Sequence, residues 1–142
     1  MNFIATKSII INASPERVWE GLTNPKIVKQ YLFGTEITSD WKVDSPIKYK
    51  GVWEGKPYED KGTIIEIEPP KVLKSTYYSH LSQKEDKPEN YNTITYELFP
   101  GAEATTQLTV TQDNNATQVE ADEAERNWVM VLDALKKWLE SN

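Results

Sequence analysis

The chain has 142 residues, of which 27% are charged and 11% are aromatic, and its formal net charge is −6 at pH 7. A chain of this length is expected to form one domain, at residues 1–142. A domain of this size buries roughly 68% of the surface that its unfolded chain exposes. The negative charge argues against a nucleic-acid-binding protein, and the absence of cysteine excludes disulfides, thiol nucleophiles and thiolate metal sites.

The chain opens with a predicted strand and two short helices. Residues 3–11 form the strand, because β-branched residues are dense at its end. Ser14 is a good N-cap and Pro15 suits the first turn of a helix that ends at residues 24–25, where an Asn-Pro pair stops it. A second short helix follows and ends at Gly34.

Strand-like runs fill the middle of the chain. They lie at residues 36–41, 47–53, 58–67, 72–79, 92–99 and 104–112. The run 47–53 places Ile47, Tyr49, Gly51 and Trp53 on one face, and the run 72–79 does the same for Leu73, Ser75 and Tyr77. The polar segment 83–90 is interpreted as a mobile loop, and the sequence Asp-Asn-Asn at 113–115 is expected to break the last strand.

The end of the chain, from about residue 120 to residue 140, changes to the ~3.6-residue period of an amphipathic helix. Acidic residues lie at its start and Lys136 and Lys137 lie near its end, as the helix dipole favours. Its apolar stripe consists of Ala121, Ala124, Trp128, Val131, Leu132, Leu135, Trp138 and Leu139.

These elements predict an α+β domain in which a curved antiparallel sheet of about seven strands wraps around a long C-terminal helix, since each then covers the other's apolar face. Residues 1–7 do not resemble a signal peptide, and no window contains the ~20 apolar residues of a membrane span. We therefore expect a cytoplasmic protein without a membrane span.

Several segments, taken in order, resemble the activator of heat-shock protein 90 ATPase homologue family. These are Ala-Ser-Pro-Glu-Arg-Val-Trp-Glu-Gly-Leu-Thr-Asn-Pro at 13–25, Tyr31 and Phe33, Gly-Thr-Ile-Ile-Glu-Ile-Glu-Pro-Pro-Lys-Val-Leu at 62–73, Thr-Ile-Thr-Tyr-Glu-Leu at 93–98, Thr-Gln-Leu-Thr-Val at 106–110, and Trp128. That family belongs to the START-like (SRPBCC) superfamily. The paired glycines that many members carry before the third strand are replaced here by Asp44-Ser45-Pro46.

The resemblance implies the helix-grip fold. It also implies a deep, mostly apolar cavity between the sheet and the C-terminal helix, which relatives use for lipids, sterols, polyketides and plant-type aromatics. The family shares no catalytic residues, so we assign none, and we expect no cofactor.

The aromatic residues are the main candidates for ligand contact. They could simply fill the core, but tyrosine and tryptophan each carry a polar atom that needs a partner when buried. Inward-facing Tyr, Trp and Ser side chains suit a cavity with an apolar wall and few polar anchors. The predicted ligand-binding residues are Trp41, Tyr49, Trp53, Ser75, Tyr77, Tyr96, Trp128 and Leu132. Residues 31–34 and 83–90 are expected to flank the cavity mouth.

Two residues could carry proton transfer. His80, the single histidine, is expected to be structural or exposed, because nothing in the sequence fixes a partner acid and a nucleophile beside it. Glu66 is exposed if Ile65 and Ile67 face the core, and it is a buried acid if Ile64 and Glu66 do. With one histidine and no cysteine, we expect no metal site.

Three functions remain open at this stage. The leading hypothesis is a non-enzymatic protein that binds a hydrophobic, ring-containing small molecule such as a lipid, sterol or flavonoid-like polyketide. The second is a cyclase or hydrolase that uses the same cavity and requires Glu66 or His80 near the ligand. The third is a protein-interaction module that regulates a chaperone ATPase.

Overall fold

A seven-stranded antiparallel sheet and three helices make up the computed structural model, which describes residues 3–142 except for the side chains of Trp53 and His80. The strands are β1 (Phe3–Ile11), β2 (Glu36–Ser39), β3 (Pro46–Trp53), β4 (Lys56–Glu68), β5 (Val72–Ser79), β6 (Asn92–Pro100) and β7 (Thr106–Asn115). The helices are α1 (Pro15–Thr23), α2 (Pro25–Tyr31) and α3 (Gln118–Ser141). The strand order is β1-β7-β6-β5-β4-β3-β2, and one face of the sheet packs against α3. The predicted α+β helix-grip fold is therefore confirmed.

Local capping sets the path from β1 into the two short helices. The Ser14 hydroxyl accepts a hydrogen bond from the backbone N–H of Arg17, which satisfies one free donor at the start of α1. Asn24 ends α1 by donating its backbone N–H to Glu20 O at 2.8 Å, and its side chain then caps α2 by accepting from the Lys26 N–H. One residue thus joins the two helices without a linker.

The turn before β3 keeps a glycine-like backbone although it contains no glycine. Asp44 adopts a left-handed φ of +70°, which aspartate tolerates better than most residues, and donates its backbone N–H to Ile64 O. The Ser45 hydroxyl donates to Lys42 O and accepts from the Lys42 N–H, which closes the turn. The sequence Asp44-Ser45-Pro46 therefore supports a closed turn at this rim.

A β-bulge in β4 decides which residues of this strand face the core. Ile64 pairs with Ser75 and Glu66 pairs with Lys74, so Ile65 is the extra residue. Ile64 is fully buried before the bulge, and Ile67 packs against the core after it. Glu66 is exposed, so the alternative in which Ile64 and Glu66 share the inner face is wrong. Ile65 is 43% exposed, so the alternative in which Ile65 and Ile67 both face the core is wrong for Ile65.

Strand β7 is longer than predicted, because residues 113–115 continue it instead of breaking it. Asn115 is buried, and its amide donates to the carbonyl oxygens of Phe3 and Gln112, so a polar side chain is satisfied inside the sheet. The segment 83–90 is tied down at several points, among them the Tyr78 hydroxyl, which donates to Lys84 O at 2.5 Å. Its mobility stays a prediction.

Helix α3 begins with a variant of the capping box, in which the Glu120 carboxylate accepts from the residue before the N-cap Thr117. The Thr117 hydroxyl accepts from the Glu120 N–H at 3.1 Å, and the Glu120 carboxylate accepts from the Ala116 N–H at 2.8 Å. The buried part of the predicted stripe is Ala121, Ala124, Leu132, Leu135 and Leu139. Among residues 3–142, no helix is both long enough and apolar enough to cross a membrane.

Candidate functional site

A cavity of about 460 Å³ lies between the inner face of the sheet and α3. Aromatic side chains from six helices or strands and from the α2–β2 loop form much of its wall. The lining residues are Tyr31, Leu32, Phe33, Thr35, Tyr49, Tyr58, Asp60, Tyr77, Leu81, Ile94, Tyr96, Gln112, Ala124, Asn127, Trp128 and Val131. The volume lies within the ~300–1,000 Å³ that is usual for small-molecule sites.

The register of β3 and β4 brings the polar part of this wall together. Tyr49 lies directly opposite Asp60, and Gly51 lies opposite Tyr58. Because side chains directly opposite in an antiparallel pair share a face, Tyr49, Tyr58 and Asp60 all project toward the cavity. Gly51 leaves room for the Tyr58 ring, since a Cβ there would lie 2.6 Å from the Tyr58 hydroxyl oxygen.

Asp60 is the central polar group of the wall. Its side chain is 7% exposed, and one carboxylate oxygen accepts a hydrogen bond from the Tyr77 hydroxyl. Tyr77 also meets Tyr49 edge to face, with ring centroids 5.8 Å apart. Burial and the nearby Asp60 charge raise the pKa of both tyrosines above the ordinary value of 10.0, so both hydroxyls are hydrogen-bond donors at neutral pH.

The opposite wall is built by α3 and the strands that it covers. The Trp128 indole N–H donates to Gln112 Oε1 at 3.0 Å, and the Trp128 ring meets Tyr96 at 88°. Burial raises the pKa of Tyr96 and of Tyr31, whose hydroxyl donates to Gly21 O at 2.9 Å. The Trp128 N–H and the Tyr31 hydroxyl are thus engaged with protein, and the rings remain to contact a ligand.

The cavity reaches the surface beside the α2–β2 loop. Phe33 and Leu81 line the cavity and are 60% and 45% exposed, and the lining residue Asn127 is exposed as well, so the cavity opens to solvent beside these residues. The Phe33 backbone has a left-handed φ of 53°, which is strained for an aromatic residue. Just inside, the hydroxyl groups of Thr35 and Tyr58 are hydrogen-bonded at 2.6 Å.

The predicted ligand-binding residues divide into two groups. Tyr49, Tyr77, Tyr96 and Trp128 line the cavity, whereas Trp41, Ser75 and Leu132 do not; Trp53 has its side chain outside the described residues.

The described residues of the second group lie outside the cavity lining for different reasons. Ser75 is buried and its short side chain hydrogen-bonds Tyr49, an effect that lowers the pKa of that tyrosine against the larger effect of burial. Leu132 is buried in the core. Trp41 follows β2 with a left-handed φ of 58° and packs against the core away from the cavity. As ligand contacts, all eight residues stay predictions.

Sequence reasoning missed Asp60, Tyr58 and Gln112 as lining residues. Asp60 lies in the mixed run Tyr-Glu-Asp-Lys at 58–61, where the alternation could have shown that Tyr58 and Asp60 share a face but not that this face is inner. The mouth prediction is met in part: Tyr31, Leu32 and Phe33 line the cavity, but the segment 83–90 supplies no lining residue among those described.

The candidate groups for proton transfer are Glu66 and His80, and those for metal binding are His, Asp and Glu residues. Glu66 is exposed, so it cannot act as an acid in the cavity. The side chain of His80 lies outside the described residues. In the described part of the chain, no group of three or more His, Asp or Glu residues could hold a metal ion. The described lining residues therefore offer a ligand aromatic ring contacts and the Asp60–Tyr77 hydrogen-bonding pair.

Comparison with known proteins gives one family and one fold. The family model for activator of Hsp90 ATPase homolog 1-like proteins matches residues 12–140. The solution structure of ChR145 from Cytophaga hutchinsonii is similar, with 45% identity, a TM-score of 0.84 and coverage of 98% of this chain and 94% of that chain.

Two more distant structures share the fold. The Aha1 dimer from Colwellia psychrerythraea has 22% identity and a TM-score of 0.74, with 97% of this chain and 96% of that chain covered. CalU16 from Micromonospora echinospora has 17% identity and a TM-score of 0.71, with 98% and 85% covered. No protein with a curated description matches the chain.

Proposed function

This chain belongs to the activator of Hsp90 ATPase homolog 1-like family, and we propose that it binds an apolar, ring-containing small molecule in the cavity between the sheet and α3. The observation that carries the proposal is the wall itself: five tyrosines and Trp128 surround about 460 Å³. A side-chain set chosen only to fill a core would favour aliphatic residues, which leave no such space. The open mouth at Phe33 and Leu81 gives a ligand a way in.

The contacts within the wall support a ligand with a flat ring. Tyr49, Tyr77, Tyr96 and Trp128 meet in edge-to-face pairs, so each pair holds its rings at a large angle to one another. A ring compound in the cavity could add further offset or edge-to-face contacts with these rings. Most of the binding free energy would come from apolar surface that leaves water.

The experiment is a thermal-shift screen with uncharged ring compounds, including sterols and flavonoid-like molecules, and with fatty acids for comparison. A ligand at one hundred times its Kd raises the unfolding free energy by about 2.7 kcal/mol, which is a rise in Tm of about 5–10 °C for a chain of this length. We expect such shifts for a subset of the ring compounds. A flat screen would contradict the proposal.

A matched pair of variants ties any shift to the cavity. Ala124→Phe places a ring into the cavity from α3, whereas Val129→Phe adds the same ring at a position of α3 that is 43% exposed. We expect the first variant to lose the ligand-induced shift and the second to keep it. Melting of both variants without ligand shows that they fold.

A second candidate function is the regulation of a chaperone ATPase through the protein surface. The family name and the similarity to the Aha1 dimer favour it. This function would not require an open cavity, so Ala124→Phe should preserve binding to a chaperone in a pull-down while ligand binding is lost.

A further inference from the structure

We infer that the ligand carries an uncharged hydroxyl or amino group that donates a hydrogen bond to Asp60, and that ring compounds bearing a carboxylate are rejected. This inference deepens the proposed function and rests on it. It gives the polar end of the ligand a chemistry, whereas the aromatic wall alone specifies only an apolar ring.

Asp60 is placed where it can accept a hydrogen bond from a ligand. Among the described residues that line the cavity, Asp60 alone has a carboxyl group, and it is 7% exposed on the inner face of β4. A carboxylate offers about four acceptor sites, so it can accept a hydrogen bond from a ligand in addition to the one from Tyr77. A hydrogen bond inside a protein, where the dielectric is low, is stronger than the same bond in water.

Three tyrosine rings surround Asp60 and can position the ring of a ligand beside it. Tyr49 lies opposite Asp60 in the sheet, and Tyr77 both donates to Asp60 and packs against Tyr49. Tyr58 lies two residues before Asp60 on the same face. A flat ring that contacts these tyrosines therefore brings a substituent at its edge within reach of the Asp60 carboxylate.

The wall offers a carboxylate on the ligand no cationic partner among the described residues. None of the described residues that line the cavity is lysine or arginine, so a carboxylate on the ligand would find no such cation and would lie near Asp60. Moving a carboxylate from water into an apolar cavity that offers no such cation costs free energy. Fatty acids and aromatic acids should therefore bind poorly even where their apolar parts fit.

The test compares three ligands with the same rings: 2-naphthol, 2-methylnaphthalene and 2-naphthoate. Calorimetry or tryptophan fluorescence at pH 7 measures each Kd. We expect 2-naphthol to bind at least about tenfold more tightly than 2-methylnaphthalene, and 2-naphthoate to bind more weakly than both. In Asp60→Asn, the advantage of 2-naphthol should fall about tenfold and the binding of 2-naphthoate should improve.

The outcomes separate this inference from the proposed function. If 2-naphthoate binds as tightly as 2-naphthol to the native protein, or if 2-methylnaphthalene does, the inference is overturned while the proposed function stands. If none of the three compounds binds, the inference is overturned, and the thermal-shift screen with the larger ring compounds decides whether the proposed function falls with it. These comparisons use the native protein and hold even if Asp60→Asn does not fold.

A matched control shows that the site of the substitution matters. Asp133→Asn makes the same chemical change at an exposed position of α3 outside the cavity. It should leave the three Kd values within about twofold of the native ones. An equal loss of 2-naphthol binding in Asp133→Asn and Asp60→Asn would overturn the inference, because the effect would then follow net charge and not the cavity wall.

Discussion

The indole of Trp128 on α3 and the ring of Tyr96 on β6 meet edge to face in the cavity wall, with centroids 5.8 Å apart and planes at 88°. The same indole donates its N–H to Gln112 on β7. One side chain of the helix thus contacts two strands beside the cavity. Trp128 therefore contributes both to stability and to the cavity wall.

Truncation of Trp128 should separate these contributions. Trp128→Phe removes the hydrogen bond to Gln112 and should lower the unfolding free energy by about 1 kcal/mol. Trp128→Ala also removes the ring, and it should cost about 2–3 kcal/mol, less than the usual 3–5 for a tightly packed tryptophan, because the residue borders open space. Urea unfolding measures both values. An alanine variant no less stable than the phenylalanine variant would contradict this placement.

The sequence predicted those parts of the fold that follow local rules. Ser14, Pro15 and Asn24 set the ends of α1 through backbone hydrogen bonds within a few residues, so the helix could be located without tertiary information. The 3.6-residue period placed Trp128 on the face of α3 that covers the sheet. Periodicity was sufficient because one face of each element had to be buried.

The parts that the sequence did not predict depend on pairing between strands. The bulge at Ile65 exists only because β4 pairs with β5, and it turns Glu66 outward. Asp60 lines the cavity because it lies opposite Tyr49. A strand whose alternating faces both carry polar residues gives no local sign of which face is inner, so the buried carboxylate of the wall was not identified.

Gly62 should be the least replaceable glycine of the sheet. A Cβ at Gly62 would lie 1.7 Å from the backbone oxygen of Thr76, and backbone cannot move aside as a flexible side chain can. We expect Gly62→Ala to cost about 3 kcal/mol or more. Gly55→Ala is the control, since its Cβ meets nothing within 4 Å and only its φ of +80° opposes the substitution, which costs about 1 kcal/mol. Equal costs in urea unfolding would contradict the close approach.

The buried tyrosines should make stability fall at alkaline pH. Burial raises the pKa of Tyr31, Tyr49, Tyr77 and Tyr96 above the ordinary 10.0, so the folded chain keeps protons that the unfolded chain loses. Their contribution is fully present below about pH 10 and is lost as the pH rises above it.

Tyrosinate absorbance, followed together with circular dichroism, checks this expectation. Of the seven tyrosines in the chain, four should ionise only as the chain unfolds. Reversible ionisation of all seven near pH 10 while the chain stays folded would show that these hydroxyl groups are not buried.

Glu66→Gln should be silent. The side chain is exposed on the outer face beyond the bulge, so the substitution should change the unfolding free energy by less than about 0.5 kcal/mol. The Kd for 2-naphthol should also stay within about twofold of the native value, in contrast to Asp60→Asn. Loss of binding in Glu66→Gln, measured by fluorescence titration, would show that the assignment of the polar ligand contact to Asp60 is wrong.

The most direct test of the cavity as a ligand site is a titration of the isotope-labelled protein with 2-naphthol, followed by ¹H–¹⁵N correlation spectra. We expect saturable shifts of the Trp128 indole N–H and of amides beside Tyr49, Asp60 and Tyr96, and we expect these shifts to be lost in Ala124→Phe. Spectra that do not change, or changes that spread over exposed positions and persist in Ala124→Phe, would contradict this expectation.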